Sequence, residues 1–159
     1  MKTLVLYATK YGSTEEVAKT IADNCDADMV NIEDVDLLNL DRYTTIIFGS
    51  PLYVGKLRKD LIRFMRDKIH QLSNKSLHLF VNRGTRTPAI DDIIEKNIPE
   101  YQNLLQTTID FGGTFDFNKM NLMDSLIVRT VNLDLDELDS NQNLDEKVSN
   151  FIGKLAHKY

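Results

Sequence analysis

Apolar residues along the chain fall into short runs separated by longer amphipathic stretches. Three of the runs, at Leu4–Leu6, Ile46–Phe48 and Leu77–Val81, are apolar on both faces or nearly so, which is typical of buried central strands in a parallel sheet. Together with two further segments they predict five strands, at Lys2–Ala8, about Asp28–Ile32, Thr44–Ser50, Ser76–Asn82 and Gln106–Thr114.

Apolar residues at helical spacing lie between these strands. They predict four helices, at about Thr14–Cys25, at Leu57–Leu72, at about Ile90–Lys96 and at Asp145–His157. Strands that alternate with helices are the signature of an α/β domain built on a parallel sheet. The length of 159 residues fits a single domain over residues 1–159.

Residues 115–131 do not fit this alternation. Their apolar positions include Met120 and Met123 and form a face between the fifth strand and the last helix. The segment is either an extra core helix or an exposed apolar surface for a hydrophobic substrate or partner, since methionines suit adaptable contact surfaces. The acidic residues within 134–143 predict an exposed loop after it.

Composition narrows the class of protein. Apolar residues make up 42% and charged residues 27% of the chain, as is ordinary for a globular protein, and no apolar run approaches the roughly 20 residues of a membrane span. The short apolar run at the N-terminus is unlike a signal peptide, so a cytoplasmic location is expected. The net charge of −5 argues against nucleic acid as a partner.

The charges are unevenly distributed along the chain. Residues 54–68 contain six bases and two acids, whereas residues 132–146 contain six acids and no base. The two segments are either solvated faces or surfaces that orient a charged ligand or partner.

Residues suited to catalysis or metal binding are sparse. The single cysteine, Cys25, is expected to pack as a small apolar side chain on the first helix. The three histidines, His70, His78 and His157, fall on predicted helices or within a strand. No catalytic residue and no metal site is therefore predicted, and any chemistry has to come from a cofactor.

The loop after the first strand is built like a phosphate cradle. It consists of Thr9, Lys10, Tyr11, Gly12, Ser13 and Thr14, and it places hydroxyl groups and a glycine in front of a helix N-terminus. The alternative is a capping box, in which Ser13 and Glu16 satisfy free backbone N–H groups of the helix. The three-glycine dinucleotide pattern and the P-loop pattern are both absent from this loop.

Two further loops should share the same sheet edge, because ligands of open parallel sheets bind beyond the carboxyl ends of the strands. In the loop after the third strand, Leu52, Tyr53 and Val54 are predicted to be exposed between Pro51 and Gly55. They either contact a flat apolar ligand or pack against a neighbouring loop. The loop at 82–88 adds amide, hydroxyl and guanidinium groups.

Residues 3–18 resemble the signature of the flavodoxin family, and the order of segments is similar over the whole chain. The resemblance implies a flavodoxin-like, doubly wound, five-stranded parallel sheet of order 2-1-3-4-5 in three layers, with a helical insert after strand five. It also implies FMN as a non-covalent cofactor, with its phosphate at Thr9–Thr14. The residues implied to flank the flavin ring are Ser50, Pro51, Leu52, Tyr53, Val54, Gly55, Asn82, Arg83, Gly84, Thr85 and Arg86.

The resemblance also implies which residues would influence the protonation and the reduction potential of the flavin. The family often has a glycine at the position of Gly55, and the peptide of that glycine contacts flavin N5. Arg83 and Arg86 would lie near the flavin and raise its reduction potential by favouring the anionic reduced form.

Two functions follow from the resemblance. One is an electron carrier that exchanges electrons with a redox partner protein. The other is an FMN-dependent oxidoreductase for a small-molecule electron donor or acceptor, because residues 48–56 and the insert are most similar to the subgroup that includes menaquinone-dependent protoporphyrinogen oxidase. Peripheral membrane contact through residues 117–131 belongs to the second function. A fold that serves only as a binding module is a third alternative.

Overall fold

A computed structural model describes residues 2–83, 88–112 and 144–156. These residues form five strands and five α-helices, with short 3₁₀ turns at Ile32–Leu37, Leu40–Arg42 and Pro99–Tyr101. The strands are β1 (Thr3–Tyr7), β2 (Asp28–Asn31), β3 (Thr45–Pro51), β4 (Ser76–Asn82) and β5 (Leu105–Asp110). The helices are α1 (Ser13–Cys25), α2 (Lys59–Asp67), α3 (Ile69–Leu72), α4 (Ile90–Asn97) and α5 (Leu144–Ala156).

All five strands are parallel, and their order across the sheet is β2-β1-β3-β4-β5. The predicted doubly wound topology is thereby confirmed. The strand order reverses between β1 and β3, which pair from Thr3 opposite Thr45 to Tyr7 opposite Gly49. A ligand site is expected beyond the carboxyl ends of these two strands.

Helices cover both faces of the sheet and enclose two apolar cores. One face packs against α1 and α5, with Val17, Ile21 and Phe151 among the buried residues. The other packs against α2, α3 and α4, with Leu61 and Met65 in its core. Every residue of β3 is buried, as the run of apolar residues predicted. Cys25 packs against the first core, and burial raises the pKa of its thiol.

Two predicted boundaries are wrong. The helix predicted at Leu57–Leu72 begins at Lys59 and is divided into α2 and α3 at Lys68, whose φ of −107° and ψ of 9° leave the helical region. The strand predicted to reach Thr114 ends at Asp110. Ile69 and Leu72 continue the apolar spacing of α2 across the break at Lys68, whereas β5 ends one residue before Phe111, which is followed by two glycines.

Several predictions lie outside the described residues. They concern the insert at 115–131, the acidic loop at 134–143, His157, and the four residues at 84–87. Among the described helices, none combines the length and the apolar character that crossing a membrane requires.

Candidate functional site

The β1–α1 loop lies where the strand order reverses, and a backbone hydrogen bond of 2.9 Å from Ala8 to Gly49 joins its start to β3. The Thr9 hydroxyl accepts a hydrogen bond of 2.9 Å from the Gly12 N–H. Gly12 is the N-cap of α1 and has a φ of 92°, a conformation that favours glycine. The capping-box alternative at Ser13 is wrong, because Ser13 is already helical and no described side chain caps the helix.

Thr14 places a buried hydroxyl group at the start of α1, directly behind the loop. Its side chain is completely buried in the first turn of α1, yet its hydroxyl has no hydrogen-bond partner among the described residues. A buried polar group without a partner costs free energy, so a hydroxyl in this position favours a hydrogen bond with a ligand or with water. A Cβ atom at Gly12 would meet no atom of the described residues within 4 Å, so these residues leave the space in front of the loop open. The helix N-terminus makes that space favourable for an anion.

The side chain of Tyr7 fixes the helix behind this loop. Its hydroxyl donates a hydrogen bond of 3.0 Å to the carboxylate of Glu15 in the first turn of α1. Burial and the hydrogen bond to Glu15 raise the pKa of Tyr7 to about 12. The link between strand and helix therefore remains intact at neutral pH.

The loop after β3, the second loop of the site, ends in a tight turn at Tyr53–Lys56. Backbone hydrogen bonds of 3.1 and 2.9 Å run in both directions between Tyr53 and Lys56. The two central residues have positive φ, 49° for Val54 and 71° for Gly55, as in a type I′ turn. A positive φ is unfavourable for a β-branched residue, so Val54 is strained. Such strain is found mainly at functional sites.

Exposure within this loop differs from the prediction. Leu52 is buried in the core, so its predicted exposure is wrong, whereas Val54 is 59% exposed. Tyr53 is half-buried and contacts the ring of Tyr11 edge to face, with centroids 6.3 Å apart. The ammonium group of Lys10 lies 5.4 Å from the centroid of each ring. The β1–α1 loop and the loop after β3 therefore form one wall that contains two aromatic rings and a cation.

Two polar side chains hold the second loop in place from inside. The hydroxyl of Ser50 donates to the Pro51 carbonyl at 2.8 Å and accepts from the Arg58 N–H at 3.1 Å. The amide of Asn97, at the end of α4, donates to the Gly55 carbonyl at 2.9 Å and accepts from the Leu57 N–H at 3.1 Å. Asn97 was not predicted from the sequence, because it lies 42 residues from Gly55 and nothing local marks it.

The end of β4 and the loop that follows it, the third loop, form the third part of the site. The Asn82 carbonyl accepts a hydrogen bond of 2.9 Å from the Leu52 N–H, which joins the second and third loops. Asn82 is buried, and its side-chain oxygen has no partner in the described part of the chain. Arg83 is also buried and forms an ion pair of 2.5 Å with Asp110 at the end of β5. Its guanidinium group also donates to the Pro88 carbonyl.

A cavity of about 480 Å³ opens beside the Tyr53–Lys56 turn, towards the start of α2. Burial opposes the charge of Asp60, which lines the cavity, but hydrogen bonds from Arg58 and from the Leu61 N–H hold its pKa below the ordinary value. The basic side chains that line the cavity are Lys10, Lys56, Arg58, Lys59 and Arg63.

The sequence matches the model of the flavodoxin domain over residues 4–155, nearly its entire length. The chain belongs to the flavodoxin family. A flavodoxin from Nostoc sp. is 25% identical over 170 residues, which cover 98% of this chain and 95% of that protein. A protoporphyrinogen IX dehydrogenase [quinone] from Escherichia coli is 21% identical over 173 residues, or 99% of this chain and 96% of that protein.

An uncharacterised protein from Methanocaldococcus jannaschii is 41% identical over 85 residues. That match covers 53% of this flavodoxin-family chain and 55% of the archaeal protein.

Solved structures show the same fold. Oxidised flavodoxin 2 from Bacillus cereus superposes with a TM-score of 0.64 at 24% identity, and the match covers 100% of both chains. A flavoprotein from Lactobacillus acidophilus, crystallised in complex with FMN, has a TM-score of 0.51 at 17% identity over 70% of this chain and 91% of its own.

Proposed function

We propose that this flavodoxin-family protein binds FMN non-covalently and carries electrons between partner proteins. The observation that carries the proposal is the buried Thr14 hydroxyl at the N-terminus of α1, which has no partner among the described residues and lies beside a space at Gly12 that no described atom fills. A phosphate oxygen would supply the missing hydrogen-bond acceptor. The backbone N–H groups at the start of the helix would donate to the other phosphate oxygens. The phosphate-binding residues are Thr9, Lys10, Tyr11, Gly12, Ser13 and Thr14.

The flavin ring would lie between the second and third loops. Tyr53, Val54 and Gly55 offer an apolar and partly exposed wall on one side. On the other side Asn82 offers a buried side-chain oxygen that has no partner in the described part of the chain. Ser50 and Asn97 would act indirectly, by holding the second loop in position. Ser50, Pro51 and Leu52 therefore support this wall, and the third loop contributes Asn82, Arg83, Gly84, Thr85 and Arg86.

The contribution of Arg83 differs from the one that the resemblance implies. The charge of its guanidinium group is balanced by Asp110 at 2.5 Å. Such a compensated charge changes the potential of a nearby flavin much less than an isolated charge would. The role of Arg83 is therefore to connect the ends of β4 and β5.

Bound FMN supplies the redox chemistry, because it can take up and release one or two electrons. The side chains of this chain hold the phosphate, orient the ring and keep water away from one side of it. Outer-sphere electron transfer needs no acid, base or nucleophile from the protein.

The proposal is tested by adding FMN to the apoprotein and following visible absorption and the quenching of flavin fluorescence. Wild-type protein should take up one FMN per chain. Gly12→Asp should weaken binding by at least about a hundredfold, because it places a carboxylate beside the phosphate. Gly12→Ala is the matched control for backbone strain, since it has the same unfavourable φ without the charge, and it should lose less affinity.

A second experiment distinguishes an electron carrier from an enzyme that oxidises or reduces a small molecule. Holoprotein is assayed anaerobically with protoporphyrinogen and with a quinone, without any partner protein. Slow or absent turnover agrees with a carrier. Rapid turnover of either compound would contradict the carrier function and favour an FMN-dependent oxidoreductase that resembles the E. coli relative.

A further inference from the structure

The cavity beside the Tyr53–Lys56 turn concentrates positive charge in an acidic chain. Five basic side chains and one acidic side chain line it, which gives a local charge of +4, whereas the whole chain has a net charge of −5. Asp60 is engaged by Arg58 at 2.8 Å. Lys56, Lys59 and Arg63 are exposed and form no ion pair with any residue that the structure describes. Their charges are therefore directed to the solvent.

Apolar groups occupy the centre of the same surface. Val54 is 59% exposed at the tip of the turn and the half-buried Tyr53 also lines the cavity, whereas Leu57, the third apolar residue of the lining, is buried in the core. Protein interfaces have this arrangement, an apolar or aromatic centre surrounded by a polar rim. The centre coincides with the turn that would contact the flavin ring, so a partner seated there would approach the redox centre directly.

We propose that this surface is the docking site for an acidic electron-transfer protein. The inference rests on the proposed function, since it needs a bound flavin from which electrons leave. Complementary charges increase the rate of encounter and orient two proteins before they touch. The basic surface beside the turn would orient an acidic partner with its redox centre towards the exposed edge of the ring.

The geometry favours a protein over a small anion as the occupant. The ammonium groups of Lys56 and Lys59 and the guanidinium group of Arg63 are located at the exposed rim. A small-molecule site usually has a few polar groups that converge inside a pocket and are shielded from water. Charges spread over an exposed rim act at long range, and that suits a large surface of opposite charge.

The test compares two acceptors that share one redox centre. Reduced holoprotein, freed of excess dithionite, is mixed in a stopped-flow instrument with native cytochrome c, which is basic, or with cytochrome c whose lysines have been succinylated, which is acidic. In each reaction one electron leaves the reduced protein and converts ferric haem to ferrous haem. The succinylated form should react faster at low salt, and its rate should fall as ionic strength rises.

Charge-reversal variants test whether the basic side chains of the cavity cause the preference for the acidic acceptor. Lys59→Glu combined with Arg63→Glu should slow the reaction with succinylated cytochrome c by roughly tenfold or more at low salt. Lys19→Glu combined with Lys154→Glu is the matched control, because both lysines are exposed on helices of the opposite face and the change in net charge is the same. The control should slow the reaction by less than about twofold.

Three results would overturn the docking site. The first is an equal rate loss in the two double variants. The second is a preference of wild-type protein for native cytochrome c at low salt. The third is inhibition by millimolar citrate at constant ionic strength in wild-type protein and not in the Lys59→Glu, Arg63→Glu variant, since that would assign the cavity to a small anion.

FMN uptake by each variant is measured separately by fluorescence titration. Both double variants should bind FMN within about twofold of wild-type affinity, because neither changes a residue of the flavin site. Normal FMN binding without selectivity for the acidic acceptor overturns the docking site alone. Failure of wild-type protein to bind FMN overturns the proposed function and the docking site together.

Discussion

Thr14 has opposite consequences for stability and for binding. Its hydroxyl is buried without a partner in the described structure of the free protein, but it is available to a phosphate. We predict that Thr14→Val, which keeps the shape and removes the hydroxyl, stabilises the apoprotein by about 1 kcal/mol because it removes a buried unsatisfied group. The same change should weaken FMN binding by roughly tenfold.

Urea denaturation of the apoprotein and fluorescence titration with FMN measure the two effects. Thr14→Ser is the matched control, since it retains the hydroxyl and should retain most of the affinity. If Thr14→Val binds FMN as tightly as the wild type, Thr14 does not contact the phosphate.

Asp28 connects the edge strand β2 to the rest of the sheet through charge. Its carboxylate lies 2.6 Å from the Lys2 ammonium group and accepts a hydrogen bond of 2.6 Å from Tyr43. The hydrogen bond from Lys2, followed by that from Tyr43, lowers the pKa of Asp28. The ionised form is therefore favoured more strongly in the folded than in the unfolded chain.

The sign of the pH dependence follows from this lowered pKa. The stabilisation should be fully present above the ordinary aspartate pKa of about 3.9 and should disappear as the pH falls through the lower folded-state value. We therefore predict that wild-type protein is more stable than Asp28→Asn near neutral pH and that the difference shrinks in acid. Urea denaturation at several pH values measures it. A difference that grows as the pH falls would contradict the assignment.

At the scale of the elements, the close contact between β3 and β4 depends on Gly49. A Cβ atom at this position would lie 2.2 Å from the ring of Phe80, which is completely buried and packs against Phe111. The ring cannot move away without disturbing the core. We predict that Gly49→Ala lowers the free energy of unfolding by about 3 kcal/mol through overpacking.

Gly153→Ala in α5 is the matched control, because its new methyl group would meet no described atom within 4 Å and the position has no positive φ. It should be neutral or stabilising by up to about 1 kcal/mol, since alanine favours helix. Chemical denaturation measures both variants. Equal stability of the two would show that β3 and β4 are not packed this closely.

The elements themselves are largely predictable from the sequence because the sheet is buried on both faces. The apolar runs of β1, β3 and β4 cannot be exposed, so their positions follow from hydrophobicity alone. The break at Lys68 is not predictable in this way, because Ile69 and Leu72 continue the apolar spacing of α2. Leu52 is similarly misleading, since an apolar residue in a loop can face the core or the solvent.

At the scale of the whole molecule, the topology brings distant loops to one edge of the sheet. The location of the candidate site is predictable, because glycine and hydroxyl residues follow β1 directly and parallel strands end at the same edge. The residues that support the site are less predictable. Asn97 reaches Gly55 across 42 residues and Asp110 pairs with Arg83 across 27, so only the folded chain brings them together.

The structural meaning of the uneven charge distribution along the sequence also becomes clear only at this scale. The bases of residues 54–68 were expected to be a solvated face or a surface for a charged partner. In the folded chain Arg66 is paired with Glu100 at 2.6 Å, whereas Lys56, Lys59 and Arg63 line the cavity beside the turn. The basic segment is thus divided into a structural part and a part that remains available to a partner.

Phosphate recognition by the loop at 9–14 is tested most directly by comparing FMN with riboflavin, which has the same ring and lacks the phosphate. Fluorescence titration of the wild-type apoprotein measures both affinities under identical conditions. FMN should bind at least about a hundredfold more tightly, because several charge-assisted hydrogen bonds are made only with the phosphate. Equal affinities, or no binding of either compound, would contradict the assignment of this loop as the phosphate site.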